Sequence, residues 1–212
     1  MAFNGSPRKA WNTGTLLVKA LEGAASQGAE TELIHLYDLD FKGCRSCFAC
    51  KMRGGKSYGR CAAKDGLTPV LEKVEEADAL ILGSPVYYGS VSGEMKSFIE
   101  RLLFPKMTYT DPPGTLFPRK IRTGFIYTMN ATQELIQYRG WDKHLEFARQ
   151  MITMMFGHSE PLFCFDTYQF EDYSRVVADR FDPEKKAITR REVFPLDCEK
   201  AFEMGARLVK GE

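Results

Sequence analysis

Short apolar runs alternate with helical repeats along the whole 212-residue chain, and few folds accept that pattern. Thr31–Leu36 (TELIHL), Ala79–Gly83 (ALILG), Arg122–Met129 (RTGFIYTM) and Pro161–Asp166 (PLFCFD) read as strands, and Met1–Phe3 as a short first one. Between them Leu16, Leu17, Ala20, Leu21 and Ala24 share one helical face, as do Leu67, Val70, Leu71 and Val74. Met95, Phe98, Ile99, Leu102 and Leu103 repeat the pattern. Trp141, Leu145, Ala148, Ile152 and Met155 give a longer helix, and Ala201, Phe202, Gly205 and Leu208 a last one. Parallel neighbours need crossovers of a dozen or more residues, so nearly continuous apolar strands separated by helices imply a parallel sheet covered on both faces. The expected architecture is α/β: a three-layer, doubly wound, five-stranded parallel sheet with five helices, in one domain over 1–212. Only Met1–Phe3 precede the first glycine turn, where about five strand residues are usual, so further native residues are expected before Met1.

Hydrophobic residues make up 44% and charged residues 27% of the chain, which fits a buried core and excludes a disordered chain. The formal net charge is +1, so no global field draws the protein to nucleic acid or an anionic membrane. No apolar run reaches the roughly 18 residues of a membrane span, and MAFNGSPRKAWNTG has no signal-peptide core, so a soluble cytoplasmic protein is expected. One stretch breaks the alternation. The segment 167–194 holds six acidic and six basic residues and the aromatics Tyr168, Phe170 and Tyr173, and reads either as a solvated connection or as an ordered flap or dimer contact.

Asn4-Gly5-Ser6-Pro7-Arg8 follows the first strand and, after Asn12-Thr13-Gly14-Thr15, an amphipathic helix begins. A loop in that position points backbone N–H groups and a helix N-terminus into one concavity, which suits phosphate. Ser6, Asn12, Thr13 and Thr15 carry donors, and Arg8 can add a charge-assisted bond. Thr13 or Thr15 as a plain N-cap and Gly5 as a turn residue would explain those positions but not the arginine. The loop matches neither Walker A nor GxGxxG, which disfavours a nucleoside triphosphatase or a classical dinucleotide fold. A second loop, Gly83-Ser84-Pro85-Val86-Tyr87-Tyr88-Gly89-Ser90, follows the most apolar strand, and Thr128-Met129-Asn130-Ala131 follows the fourth. Ligands of open α/β sheets lie beyond the carboxyl ends of the strands, where these three loops would meet.

GSPRKAWNTGT together with GSPVYYGSVSGEMKSFIERL resembles the flavodoxin-like NAD(P)H-dependent FMN reductase family, and the clustered cysteines resemble its iron-sulfur flavoprotein branch. The tail segments DTYQFEDYSR and FPLDCEKAFEMG are similar to members of that group as well. The resemblance implies strand order 2-1-3-4-5, bound FMN, NAD(P)H as reductant, and a homodimer or homotetramer. It places Ser6, Arg8, Asn12 and Thr13 on the phosphate and Pro85, Val86, Tyr87, Tyr88 and Gly89 on the isoalloxazine, with Met129 and Asn130 contributing from the third loop.

Cys44-x2-Cys47-x2-Cys50 followed by Cys61 has the spacing of thiolate ligands for a 4Fe-4S cluster, within a cysteine-rich loop at 43–64. Ten residues separate Cys50 from Cys61, more than is usual in the branch it resembles. A cluster, free or redox-exchanging thiols, and structural zinc all remain open. Cys164 and Cys198 read as packing residues. His35, His144 and His158 form no ligand pair or serine triad, so the chemistry is expected on the flavin rather than on a side chain. The basic loop 51–60 reads as a solvated loop or as a site for the 2′-phosphate of NADPH. The leading expectation is an FMN-dependent oxidoreductase passing electrons from NAD(P)H to a small-molecule or protein acceptor. The alternatives are a non-enzymatic electron carrier serving ferredoxin-like partners and a flavin-binding sensor.

Overall fold

Ala2–Asn4 form β1 between β2 (Leu33–His35) and β3 (Ala79–Tyr87) in the computed structural model, which describes residues 1–211. A two-residue strand β4 (Ser90–Val91) folds back antiparallel on the end of β3, and β5 (Arg122–Thr128) and β6 (Glu160–Cys164) complete the sheet. The order is β2-β1-β3-β5-β6 with all five main strands parallel. In chain order, leaving β4 aside, this is the expected 2-1-3-4-5 arrangement; the small hairpin strand is the one addition.

The helices are α1 (Asn12–Ala25), α2 (Thr68–Glu76), α3 (Gly93–Leu103), α4 (Gln133–Tyr138), α5 (Trp141–Phe156), α6 (Pro183–Ile188) and α7 (Phe194–Lys210). Five match the helical faces in the sequence. The two extra ones, α4 and α6, have six residues each, too few for a 3.6-residue period to show.

Alternation along the strands divides the core in two. Leu80, Leu82, Phe125 and Tyr127 face the layer holding Phe98, Ile152 and Phe156 of α3 and α5. Ile81, Ile126 and Cys164 face the other layer, with Leu16, Leu17 and Ala20 of α1 and Ala201, Met204 and Leu208 of α7. All of these side chains are fully or nearly fully buried. Burying a Leu, Ile or Phe side chain is worth about 1.5–3 kcal/mol, so the two-sided sheet gives the loops at its carboxyl edge a rigid base.

The 167–194 segment is ordered. It leaves β6, packs Tyr168 and Phe170 edge-on against Tyr173 at 5.1 and 5.2 Å, and reaches α7 through α6 and a widened turn at 189–193. Tyr173 is buried within this chain. No helix among the described residues is long and apolar enough to cross a membrane.

Candidate active site

Asn4, at the end of β1, is fully buried and organises the first loop. Its Oδ1 accepts from the Ser6 amide at 2.9 Å, and its Nδ2 lies 3.4 Å from the Lys9 carbonyl and 3.1 Å from His35 Nδ1. The Gly5 amide donates to the Gly83 carbonyl at 2.8 Å, and the Ser92 hydroxyl donates to the Gly5 carbonyl at 2.6 Å, so the first loop is fastened to the second. Neither Thr13 nor Thr15 caps α1. The helix starts at Asn12 after Trp11, with no side-chain cap and no acidic residue in its first turn.

The reason is steric and topological: Thr13 already lies inside the helix, and its hydroxyl is 2.7 Å from that of Thr128 at the end of β5. As in the first turn of any helix, the amides of Asn12, Thr13 and Gly14 have no carbonyl one turn back, and none of them donates to another group among the described residues, while Thr15 donates to Trp11 at 2.8 Å. These uncapped amides at the positive end of a 14-residue helix favour an anion. Of the nearby cations, Lys9 is paired with Asp38 at 2.6 Å, whereas Arg8 has no carboxylate partner among the described residues. The Arg8 guanidinium lies 4.8 Å from the Trp11 ring centroid and donates to the Gln169 carbonyl at 2.7 Å.

The 167–194 segment closes this loop from outside. The Tyr168 carbonyl accepts from Trp11 Nε1 at 3.0 Å and from Asn12 Nδ2 at 2.8 Å, and Asn12 Oδ1 accepts from Arg190 at 3.0 Å. Both ends of the Asn12 side chain are thus taken by the strap. Ser6, Asn12 and Thr13 are buried together, with Ser6 Oγ 3.2 Å from both the carbonyl and the amide of Arg8. A phosphate monoester fits the chemistry here: free amides, a hydroxyl and an arginine without a counter-ion.

β3 runs on through Pro85 to Tyr87 and turns at Tyr88 and Gly89, both with positive φ (51° and 77°). Two such residues make the primed turn that suits a hairpin, and a tyrosine held there costs of the order of 1 kcal/mol. A Cβ on Gly89 would lie 2.6 Å from Trp141 Cδ1, so only glycine lets that indole in. Val86, Tyr87 and Tyr88 line a cavity of about 720 Å³ with Met129, Asn130 and Trp141, and Arg139, Arg180 and Lys185 line it too. That volume lies in the range of ligand sites, and a flat ring fits between the aromatic and apolar walls. Asn130 Oδ1 is buried there without a hydrogen-bond partner. Lys186, buried, donates to the Asn130 carbonyl at 3.0 Å and pairs with Asp166, which also accepts from Thr189 at 3.1 Å.

Cys44, Cys47, Cys50 and Cys61 all line one small cavity of about 30 Å³ beside Glu100, Arg101 and Phe104. Ser46 and Phe48 between them take positive φ (52° and 57°), which makes this a tightly wound loop. Burial pushes the Cys50 thiol up, as do Cys44 and Cys47, while the Lys51 charge opposes. The four cysteines share that cavity, but the thiols as placed do not fit a cluster: no three His, Cys, Asp or Glu side chains among the described residues converge as a metal site. The basic loop is not simply solvated. Lys51 donates to the carbonyls of Phe104 and Pro105 at 2.5 and 3.2 Å and to that of Met107, loss of hydration lowers its pKa, and Arg60 pairs with Glu75 at 3.0 Å.

The profile of the NADPH-dependent FMN reductase family matches residues 1–121, more than half of the chain. The chain belongs to that family. It is 42% identical over 107 residues to an iron-sulfur flavoprotein of Archaeoglobus fulgidus, covering 50% of each chain, and 41% identical over 101 residues to one of Methanocaldococcus jannaschii, covering 48% of this chain and 50% of that one. The chain thus spans about half the length of the curated relatives it matches. Among solved structures, the NAD(P)H:quinone oxidoreductase of Methanothermobacter marburgensis aligns with TM-score 0.66 at 15% identity, covering 98% of this chain and 94% of that one. An FMN-dependent NADH-azoreductase of Bacillus anthracis in complex with FMN aligns with TM-score 0.66 at 13% identity over 98% of both chains. At such identity these two establish the flavodoxin-like fold of this FMN reductase family member and nothing finer.

Several residues at the site carry no sequence signal of their own. Asn4 is part of a three-residue strand, and its role appears only once His35 is beside it. Arg190 lies 178 positions from Asn12, and Arg139 lines the same cavity as Arg180 and Lys185 of the 167–194 segment. Tyr88 gives no such signal either, because Tyr-Gly is not one of the dipeptides that mark a two-residue hairpin turn.

Proposed function

We propose that the protein is an FMN-dependent oxidoreductase that takes reducing equivalents from NADH or NADPH and passes them to an acceptor such as a quinone, a flavin or an iron-sulfur protein. The observation that carries this reading is the first loop: three uncapped amides of α1 beside an arginine without a carboxylate, fastened to the tyrosine loop at the same sheet edge. Ser6, Arg8, Asn12 and Thr13 would hold the phosphate; Pro85, Val86, Tyr87, Tyr88, Gly89, Met129 and Asn130 would line the ring. When bound, FMN supplies the hydride and electron chemistry. The polypeptide binds and orients: α1 fixes the phosphate end, the 86–88 wall packs the ring, and Asn130 Oδ1 is placed to accept an N–H of a ring edge or a carboxamide. No side chain is assigned a catalytic proton. Full exposure of Tyr88 and the exposed Tyr138 and Phe147 support a homodimer or homotetramer. A cytoplasmic location agrees with the absence of a spanning helix among the described residues.

A second reading is a non-enzymatic electron carrier exchanging electrons with ferredoxin-like partners, and the gathering of Cys44, Cys47, Cys50 and Cys61 around one cavity is the observation that favours it. The name of the two archaeal relatives supports it. Anaerobic addition of NADH and NADPH separates the readings. Rapid bleaching of the flavin and steady turnover with a quinone support the oxidoreductase; a flavin inert to both nucleotides but reduced by a ferredoxin supports the carrier.

A further inference from the structure

We propose that the 720 Å³ cavity admits, beside the flavin ring, a planar substrate bearing an anionic group, received by Arg139, Arg180 and Lys185. This rests on the reading of that cavity as the flavin chamber. The charges on its lining do not cancel. Lys186 is spent on Asp166 and on the Asn130 carbonyl. Asp182 caps α6, accepting from the amides of Glu184 and Lys185 at 3.0 and 3.2 Å, and pairs with Lys185 at 3.8 Å, so the uncompensated charge rests on Arg139 and Arg180 with Lys185 beside them.

The side chains of Arg139 and Arg180 make no hydrogen bond or ion pair among the described residues, yet both line a cavity that Val86, Tyr87, Tyr88 and Trp141 also line. In a chain of net charge +1, a lining with four cations against two carboxylates is a local feature, not a by-product of a basic protein. Cations lining an apolar cleft focus their field into it and raise the local concentration of anions. A planar fork such as guanidinium pairs well with sulfonate, carboxylate or phosphate. The partner is therefore a flat ring joined to an anion, and two sources share that chemistry: the phosphates of the nicotinamide donor, or an acidic substituent on the acceptor.

The test uses two probes of one shape that cannot be reduced, naphthalene-2-sulfonate and naphthalene-2-sulfonamide, titrated onto the protein as purified and followed by calorimetry. The sulfonate is expected to bind about tenfold more tightly at low salt. The gap should shrink at high salt and vanish in the R139Q/R180Q/K185Q variant, whose substitutions are all at exposed positions. Equal binding of the two probes, or a gap that survives in the triple variant, overturns the proposal.

The source is read from KM. A rise for NADPH and NADH with neutral and sulfonated quinones unchanged assigns the anion to the donor; a rise for the sulfonated quinone alone assigns it to the acceptor; no rise in any KM overturns the proposal. A sulfonate preference in a protein that takes up no FMN would refute the flavin reading and leave the charged lining standing. FMN uptake without that preference would do the reverse.

Discussion

Gly14→Ala isolates the first loop. An alanine inside a helix normally stabilises it by about 0.5–1 kcal/mol over glycine. Here a Cβ would lie 1.7 Å from the Lys9 carbonyl oxygen, 2.9 Å from its carbon and 3.2 Å from Asn4 Nδ2, where ordinary contact begins at 3.4 Å. The obstacle is backbone, so the 5–11 loop must retreat from the helix by well over an ångström. Overpacking of this kind costs about 1–3 kcal/mol, which outweighs the propensity gain and should lower Tm by roughly 4 °C in a chain of this size. The same retreat pulls Ser6 and Arg8 away from the α1 amides. Losing one charge-assisted bond, about 1.5 kcal/mol or more, weakens FMN at least tenfold. Riboflavin, which lacks the phosphate, should change much less. Fluorescence titration with both flavins, alongside a melting curve, reads both effects. Gly93→Ala is the control, since nothing lies within 4 Å of its added Cβ. Unchanged FMN affinity in G14A would refute a phosphate at this loop.

Asp65→Asn should cost roughly 3 kcal/mol, because buried Arg101 donates to both Asp65 oxygens at 2.8 and 3.0 Å and would lose its carboxylate. The hydrogen bonds from Arg101 hold the Asp65 carboxyl below its usual range, so its stabilisation is complete above the unfolded value of about 3.9 and is lost as the pH falls through the lowered folded value. Melting curves from neutral to acid pH should show an acid limb that is flatter in the variant than in the parent. Gly89→Ala meets both the positive φ and the Trp141 ring, and a loss of about 2–3 kcal/mol with a shifted tryptophan emission is expected; a parent-like melt would count against the turn described here. Arg190→Gln releases Asn12 Oδ1 and should loosen FMN several-fold while sparing riboflavin, as measured by the ratio of the two dissociation constants.

Much of the fold was legible because the core-forming signals are local. The run ALILG and the apolar faces of α1 and α3 declare themselves within a dozen residues, and the loop-then-helix order at Asn4–Thr15 is visible without knowledge of the sheet. What stayed hidden depends on distant partners or on backbone geometry. Tyr88 at positive φ creates β4, which no propensity favours. Thr13 looks like a cap until Thr128 engages its hydroxyl. The charged 167–194 stretch carries no period, since it is held by carbonyls accepting from Arg8, Trp11 and Asn12 and by Lys186 against Asp166, contacts that composition does not encode. For the cysteines the spacing was plain and the convergence of their sulfurs was not, because the ten residues before Cys61 set it.

The most direct test of FMN at the α1 edge is an anaerobic visible spectrum of the purified protein, with the flavin extracted and identified and with iron and sulfide assayed on the same sample. A yellow protein yielding about one FMN per chain is the expected result. A colourless protein that also fails to take up added FMN would contradict the reading outright.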